Sequence, residues 1–499
     1  MRYESTRGKE KDIVFPIVIK KGIADDGGLF VPAEDVIITQ DELRYMVNMT
    51  YPERAVAILN KFSAEFSDDD FRQCANSAYS TENFNHKDIA PVKVLSENLS
   101  VLELWHGPTC AFKDMALQIL PHIMTRSMDK TGGTENVLIL VATSGDTGKA
   151  ALEGFKNVPD THIMVYFPLE GVSEVQKRQM ITQQGGNVDV IAIEGNFDDA
   201  QTGVKNIFSD KEILDYISEK NYKFSSANSI NWGRLLPQII YYFSAYADMV
   251  KLGEITLGEK INFVVPTGNF GDILAGYYAK QMGLPVNKLI CASNTNNVLF
   301  DFIKTGVYNK NREFIKTVSP AMDILISSNL ERLLYDITDR NSQKIVEWMD
   351  SLAEKGQYTI DKIYHNKLNK TFWAGWASEK ETIETIANVY EEFNYLVDTH
   401  TAVGMNVYDK YMIYSADMTK TVILSTASPF KFNKTVAKAI FGQNKTDCMN
   451  EFELLNYLSE NTGWEIPEAL KDLDKKTVLH NNTVDKADMK NILIGLLNK

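Results

Sequence analysis

The stretch Ile261-Asn262-Phe263-Val264-Val265-Pro266-Thr267-Gly268-Asn269-Phe270-Gly271-Asp272 decides the fold. Its first six residues form a short, nearly continuous apolar run rich in valine and isoleucine, which reads as a strand covered on both faces. Thr267 to Gly271 then break the run with two glycines, and residues 272–282 take up a helical period. The same unit recurs along the middle of the chain. Strands are expected at 137–143, 162–167, 188–193, 261–266, 288–292 and 421–425, with helices at 147–156, 173–184, 198–209, 234–250 and 272–282. Continuous apolar strands alternating with helices predict an α/β fold with parallel strands and helices on both faces.

Outside this region the rhythm changes. Residues 1–95 show no repeating unit; Asp25-Asp26-Gly27-Gly28 reads as a turn entering a strand at 29–32, and 42–71 reads as helix. Residues 321–395 are mostly helical and rich in Lys, Glu and Asn, so they are expected to be a helical insertion. The tail, 441–499, is polar and helical. The expected division is therefore an N-terminal domain (1–95), an α/β core (96–320 and 396–440, with a smaller subdomain at about 130–215), the insertion and the tail.

With 499 residues, 44% of them apolar, the chain can bury a large core. A net charge of −14 argues against nucleic acid as a partner, because that affinity comes mostly from neutralising phosphates. The four cysteines, Cys74, Cys110, Cys291 and Cys448, match no metal spacing, so no metal is expected. The first sixteen residues have charge on both sides and no apolar core, so no signal peptide is expected. The most apolar helix, 235–250, is interrupted by Pro237, Gln238 and Asp248 and reads as a buried core helix, not a membrane span. A cytoplasmic protein is the expectation.

Five segments could carry chemistry. In His106-Gly107-Pro108-Thr109-Cys110-Ala111-Phe112-Lys113-Asp114-Met115, a turn delivers Lys113 to the start of an apolar helix. Apolar surroundings near a helix N-terminus favour the neutral amine, the form that makes a Schiff base; on the residues alone, Lys113 could equally pack its stem and send its head to water. Thr143-Ser144-Gly145-Asp146-Thr147 lies between a strand and a helix, where free N–H groups and hydroxyls suit a carboxylate, although Ser144 or Asp146 could simply cap the helix. Gly148-Lys149 does not make this a P-loop, since the GxxxxGK[ST] spacing fails at both ends. Gly268, Asn269, Phe270 and Asp272 offer converging N–H groups to one oxyanion, Asp272 through its N–H with its carboxylate turned away or capping. In Leu424-Ser425-Thr426-Ala427-Ser428-Pro429, at the end of the last strand, a hydroxyl could face a heterocycle nitrogen, although alone the segment reads as a turn. Asn231 and Arg234, opening the long apolar helix, suit a second phosphate or else a cap and a surface arginine. His106, His122 and His400 lack a Ser or Cys partner at triad spacing and are read as structural.

Together with Tyr3-Glu4-Ser5-Thr6-Arg7, Ser328-Asn329-Leu330-Glu331-Arg332 and Asp398-Thr399-His400-Thr401-Ala402, these motifs resemble, in order and over nearly the whole chain, the long threonine synthases of fungi and many bacteria. Those are pyridoxal 5'-phosphate (PLP) enzymes of the tryptophan synthase β-like class. The resemblance implies PLP fold type II, with two open, mostly parallel sheets, and conversion of O-phospho-L-homoserine and water to L-threonine and phosphate. It implies that Lys113 holds PLP as an imine, that Gly268, Asn269, Phe270 and Asp272 bind the cofactor phosphate, and that Thr426 bonds the pyridine nitrogen. Thr143, Ser144, Asp146 and Thr147 would take the substrate carboxylate, with Asp146 near the ring hydroxyl, where many relatives of the wider class carry Asn. Asn231 and Arg234 are assigned to the substrate phosphate. Alternatives are another lyase of this fold, such as a serine or threonine dehydratase, and, from a different class, a nucleotide-dependent kinase or ATPase. The expected partner is the small-molecule substrate, with neither nucleic acid nor membrane, and the chain is expected to be a monomer or dimer.

Overall fold

Two open sheets absorb the alternating part of the sequence in the computed structural model, which describes residues 1–143, 145–169 and 172–498, the side chain of Asp198 excepted. The larger sheet has six strands in the order Phe372–Trp376, Val286–Ser293, Ile261–Pro266, Thr421–Ser425, Leu99–Glu103, Val92–Ser96. All neighbours are parallel except the last pair. The smaller sheet has five parallel strands, in the order Asn482–Asp485, Val188–Glu194, Thr161–Pro168, Asn136–Ala142, Tyr222–Ser225. The expected α/β class, with mostly parallel strands, is the observed one. Every residue of Ile261–Pro266 is buried, which is why its sequence is apolar apart from Asn262.

The helix Trp232–Lys251 is buried on nearly every side; Asn231 caps it, accepting the N–H of Gly233 at 2.9 Å. The first residues form a three-stranded antiparallel sheet of Ile13–Val14, Arg2–Ser5 and Phe30–Pro32. That sheet is tied to distant sequence: Arg332 donates to the Phe30 carbonyl at 3.0 Å, and Arg7 pairs with Glu331 at 3.0 Å.

Four expectations need correction. The single helix expected at 42–71 is three helices, Gln40–Met46, Tyr51–Leu59 and Asp68–Ala78. Two capping boxes, Thr50 with Glu53 and Ser67 with Asp70, start new helices inside a pattern whose apolar period runs on. The segment 321–395 is not wholly helical, because Phe372–Trp376 forms an edge strand of the larger sheet; five residues of aromatic, Ala and Gly do not stand out between two helical patterns. The tail likewise holds a strand, Asn482–Asp485, half of it exposed, which extends the smaller sheet. That sheet also takes Tyr222–Ser225, beyond the expected edge near 215. Among the described residues no helix is long and apolar enough to cross a membrane, and no group of three His, Cys, Asp or Glu side chains could hold a metal.

Candidate active site

All five segments leave the carboxyl ends of parallel strands, where ligands of open α/β sheets bind, the Asn231 and Arg234 segment following Tyr222–Ser225 of the smaller sheet. The Lys113 segment follows Leu99–Glu103, the Gly268 loop follows Ile261–Pro266, Thr426 follows Thr421–Ser425, and Thr143 to Thr147 follow Asn136–Ala142 of the smaller sheet. Pairing brings the first and third together: Phe112 N–H donates to the Thr426 carbonyl at 2.8 Å, and Ser428 N–H to the Cys110 carbonyl at 3.0 Å.

Lys113 immediately precedes the short helix Asp114–Leu117. The turn before it is fixed by Asp114, which accepts the Thr109 N–H at 2.8 Å and the Thr109 hydroxyl at 2.6 Å. Burial raises the Asp114 carboxyl to about 6. Lys113 is half-buried, and its amine makes no hydrogen bond to any described residue while lying 4.7 Å from the Phe112 ring centroid. Burial lowers it to about 8, against the pull of Asp146 and with the help of Lys431 and Arg234. A lysine so placed carries a usable fraction of neutral amine near pH 7–8.

The Gly268 loop was tested for the phosphate of PLP. The N–H groups of Gly268, Asn269, Phe270, Gly271 and Asp272 donate to no described residue, leaving five consecutive donors at the start of the helix Gly271–Gln281. A Cβ on Gly268 would lie 2.6 Å from the Ala321 carbonyl oxygen. The left-handed residue is Phe270, at φ 62°, and not a glycine; such strain, about 1–3 kcal/mol, persists where the surroundings impose it. The Asp272 carboxylate is turned away, accepting the hydroxyls of Tyr241 at 2.6 Å and Tyr242 at 3.0 Å, and burial raises it to about 6. The residues present therefore fit a phosphate, with an amine available for an aldehyde. The Thr426 hydroxyl also makes no hydrogen bond to a described residue, although the side chain is buried.

At the smaller sheet, the Thr143 hydroxyl accepts the N–H groups of Gly145 (3.0 Å) and Gly148 (2.9 Å), which curls the chain into the helix Asp146–Phe155. Thr147 is half-buried with no hydrogen bond from its hydroxyl to a described residue; Ser144 lies outside the described residues. Asp146 is buried and paired with Lys431 at 2.6 Å, and it accepts from Gln176 at 2.7 Å. Burial pushes its carboxyl up, but Lys431, Lys113 and the Gln176 bond outweigh that and hold it well below the usual carboxylate range.

Arg234 is 3% exposed and pairs with no carboxylate among the described residues; it donates to the Ala227 carbonyl, and its Nε has no partner there. Burial lowers the guanidinium to about 10, as expected of a cation without an anion. Asn231 differs: its amide donates to the carbonyls of Ile19 (3.0 Å) and Ser226 (2.9 Å), so both donors are in use.

Sequence reading passed over Lys431 and Gln176. Their signal was the buried Asp146 alone, since neither lies in a recognisable motif. His400 is fixed by Asp398, 2.7 Å from Nδ1, and by the Ala321 N–H, which donates to Nε2 at 3.1 Å. It thus holds the segment packed over Gly268. His106 is held between Asn85 (2.6 Å) and Glu103 (2.8 Å).

Comparison with known proteins agrees with this geometry. The family model for the threonine synthase N terminus matches residues 2–79, that for pyridoxal-phosphate dependent enzymes matches 91–362, and that for the threonine synthase C-terminal region matches 401–491. The chain is 42% identical to a threonine synthase of Pseudomonas aeruginosa over 445 residues, covering 89% of this chain and 91% of that one. It is 42% identical to threonine synthase-like 1 of Macaca fascicularis over 437 residues, 85% of this chain, and spans 58% of that longer protein. The crystal structure of a PLP-bound threonine synthase from Brucella melitensis superposes with a TM-score of 0.88 at 37% identity, covering 100% of this chain and 98% of that one.

Proposed function

The chain belongs to the threonine synthase family of pyridoxal-phosphate dependent enzymes, and from that premise we propose that it converts O-phospho-L-homoserine and water to L-threonine and phosphate. The observation that carries this reading is Arg234, a buried cation with no carboxylate partner among the described residues, whose charge reaches the Lys113 amine. A substrate with its own phosphate supplies the missing anion.

Bound PLP supplies an electron sink that acidifies the substrate carbons near the amine. The residues do the rest. Lys113 would be the point of attachment and, once released, the base: its Nζ takes protons from Cα and Cβ and returns them at Cγ and Cα, while water adds its hydroxyl at Cβ and its proton leaves with the phosphate. The N–H groups of Gly268 to Asp272 hold the cofactor phosphate. The Thr426 hydroxyl, a neutral partner, would bond the ring nitrogen and leave the ring less electron-withdrawing than a carboxylate would. Thr143 and Thr147 would cradle the substrate carboxylate, and Asp146 would lie toward the ring hydroxyl. Arg234 binds the substrate phosphate and retains it after release to position water at Cβ; Asn231 sets the helix start that presents Arg234. The core is formed by 96–320 and 396–440, to whose sheets 1–95, 321–395 and 441–499 each add an edge strand, Val92–Ser96, Phe372–Trp376 and Asn482–Asp485. We place the protein in the cytoplasm, as a monomer or dimer.

The test is turnover of O-phospho-L-homoserine by purified protein, read as phosphate and threonine in equal amounts, with borohydride reduction and peptide mapping of the trapped lysine. An adduct on another lysine, or serine deamination without phosphohomoserine turnover, sinks the reading.

A further inference from the structure

We propose that Lys431 is a positioning residue for the reaction at Lys113: its buried ammonium clamps Asp146 as a carboxylate and ties it to the loop that carries Lys113. Lys431 lies on the short helix Pro429–Phe432, shortly after Thr426 and the strand Thr421–Ser425, and its side chain is 0% exposed. One hydrogen bond goes to the Thr109 carbonyl at 2.9 Å, and the ion pair with Asp146 measures 2.6 Å. The ammonium therefore joins three pieces: the helix start of the smaller sheet, the Lys113 turn and the end of the last strand of the larger sheet.

Packing alone does not call for a lysine here. A buried ion pair is often no more stabilising than apolar residues of the same size, because both charges must leave water. What the pair does provide is a fixed negative charge beside Lys113. The charged and titratable groups acting around it and Lys113 come from every packed element: Lys431, Lys113, Asp114, Arg234, Cys110, Asp272 on the helix after the Gly268 loop, and Lys149 with Glu153 on the helix of Asp146 itself. Burial is the largest influence on Asp146 and opposes its ionisation, and Lys431 is foremost among the groups that counter it. Without that charge, burial is opposed only by Lys113 and the Gln176 bond, and the Asp146 carboxyl moves up toward its protonated form. Asp146 also acts on the Lys113 nitrogen more strongly than Lys431 does, and in the opposite direction. Losing both charges therefore makes the nitrogen at Lys113 easier to deprotonate.

This inference rests on Lys113 being the cofactor lysine, and the test separates the two. PLP-loaded native protein, K431R and K431Q are titrated between pH 5 and pH 10 while the absorbance of the bound cofactor is recorded. Gln keeps a donor for the Thr109 carbonyl but removes the charge; Arg keeps the charge. The midpoint is expected to fall by about one pH unit in K431Q, a tenfold change in the protonation equilibrium. It is expected to stay in place in K431R, and K431Q is expected to add nothing in a D146N background. A native midpoint in K431Q overturns the proposal. So does an equal shift in the D146N background, or a K431Q that fails to fold while K431R folds, since the charge would then serve stability alone. A native protein that shows no cofactor band at all fails the functional reading instead.

Discussion

Arg234 is where the fold sustains a cost that only a ligand offsets. A guanidinium lowered to about 10 by burial, bonded to a carbonyl and to no carboxylate among the described residues, opposes folding while empty. R234M is therefore expected to melt no lower than the native chain. Its KM for O-phospho-L-homoserine should rise about 10–100-fold, the worth of a hydrogen bond to a charged group, with PLP content unchanged; native kinetics in R234M would remove Arg234 from the site. Lys113 gives the pH counterpart. Its neutral form is the nucleophile, and burial sets the change of state near 8 and not near 10.5. Cofactor uptake by apoprotein, followed by absorbance after mixing with PLP, is expected to accelerate from pH 6 to about 8 and then level off. Acceleration that continues to pH 10 would mean an amine with its ordinary affinity for protons.

At the scale of elements, the Gly268 loop depends on what stands over it. A Cβ at Gly268 meets the Ala321 carbonyl at 2.6 Å, and Ala321 cannot yield freely because its N–H is held by His400, itself fixed by Asp398. G268A is expected to weaken PLP retention about tenfold, from about 1–3 kcal/mol of overpacking, measured as an apparent Kd by dialysis. The melting temperature of the cofactor-free protein should move little. Such loops were legible in the sequence because their signals are local: a continuous apolar run, a glycine turn, then a helical period within some twenty residues. The strands of the two large sheets that escaped, Val92–Ser96, Leu99–Glu103, Tyr222–Ser225, Phe372–Trp376 and Asn482–Asp485, are short and, apart from Leu99–Glu103 and Phe372–Trp376, mostly half-exposed or exposed, so neither continuous apolarity nor clean alternation marks them. Lys431 escaped for a different reason. It acts on Thr109, 322 residues away in sequence, and nothing around it differs from a surface lysine until the chain is folded.

At the scale of the molecule, the tail closes the smaller sheet from outside. Arg178 donates to the carbonyls of Leu473 (3.1 Å) and Lys476 (3.0 Å), the N–H groups of Leu479 and His480 bond the Ile181 carbonyl, and Asn482–Asp485 then covers the edge of Val188–Glu194. The helix Met489–Leu497 follows, burying Met489, Leu493 and Leu496 against a cluster that includes Ile191, Ile193, Ala200, Val204 and Ile207. The fit is close: a Cβ on Gly203 would lie 2.2 Å from the Met489 sulfur. Burying three such side chains is worth about 5 kcal/mol at about 1.5–3 kcal/mol each, comparable with the whole margin of a small folded unit, about 5–15 kcal/mol. Deleting residues 477–499 also leaves Val188–Glu194 as a bare edge strand, a template for association. The truncated chain is expected to be cleaved rapidly by protease between residues 136 and 225, to sediment as aggregate and to lose turnover. The loss follows because Thr143 and Asp146 stand on the smaller sheet while Lys113, Gly268 and Thr426 stand on the larger one. A truncated chain that stays monodisperse, protease-resistant and active would show instead that the smaller sheet holds its half of the site without the tail.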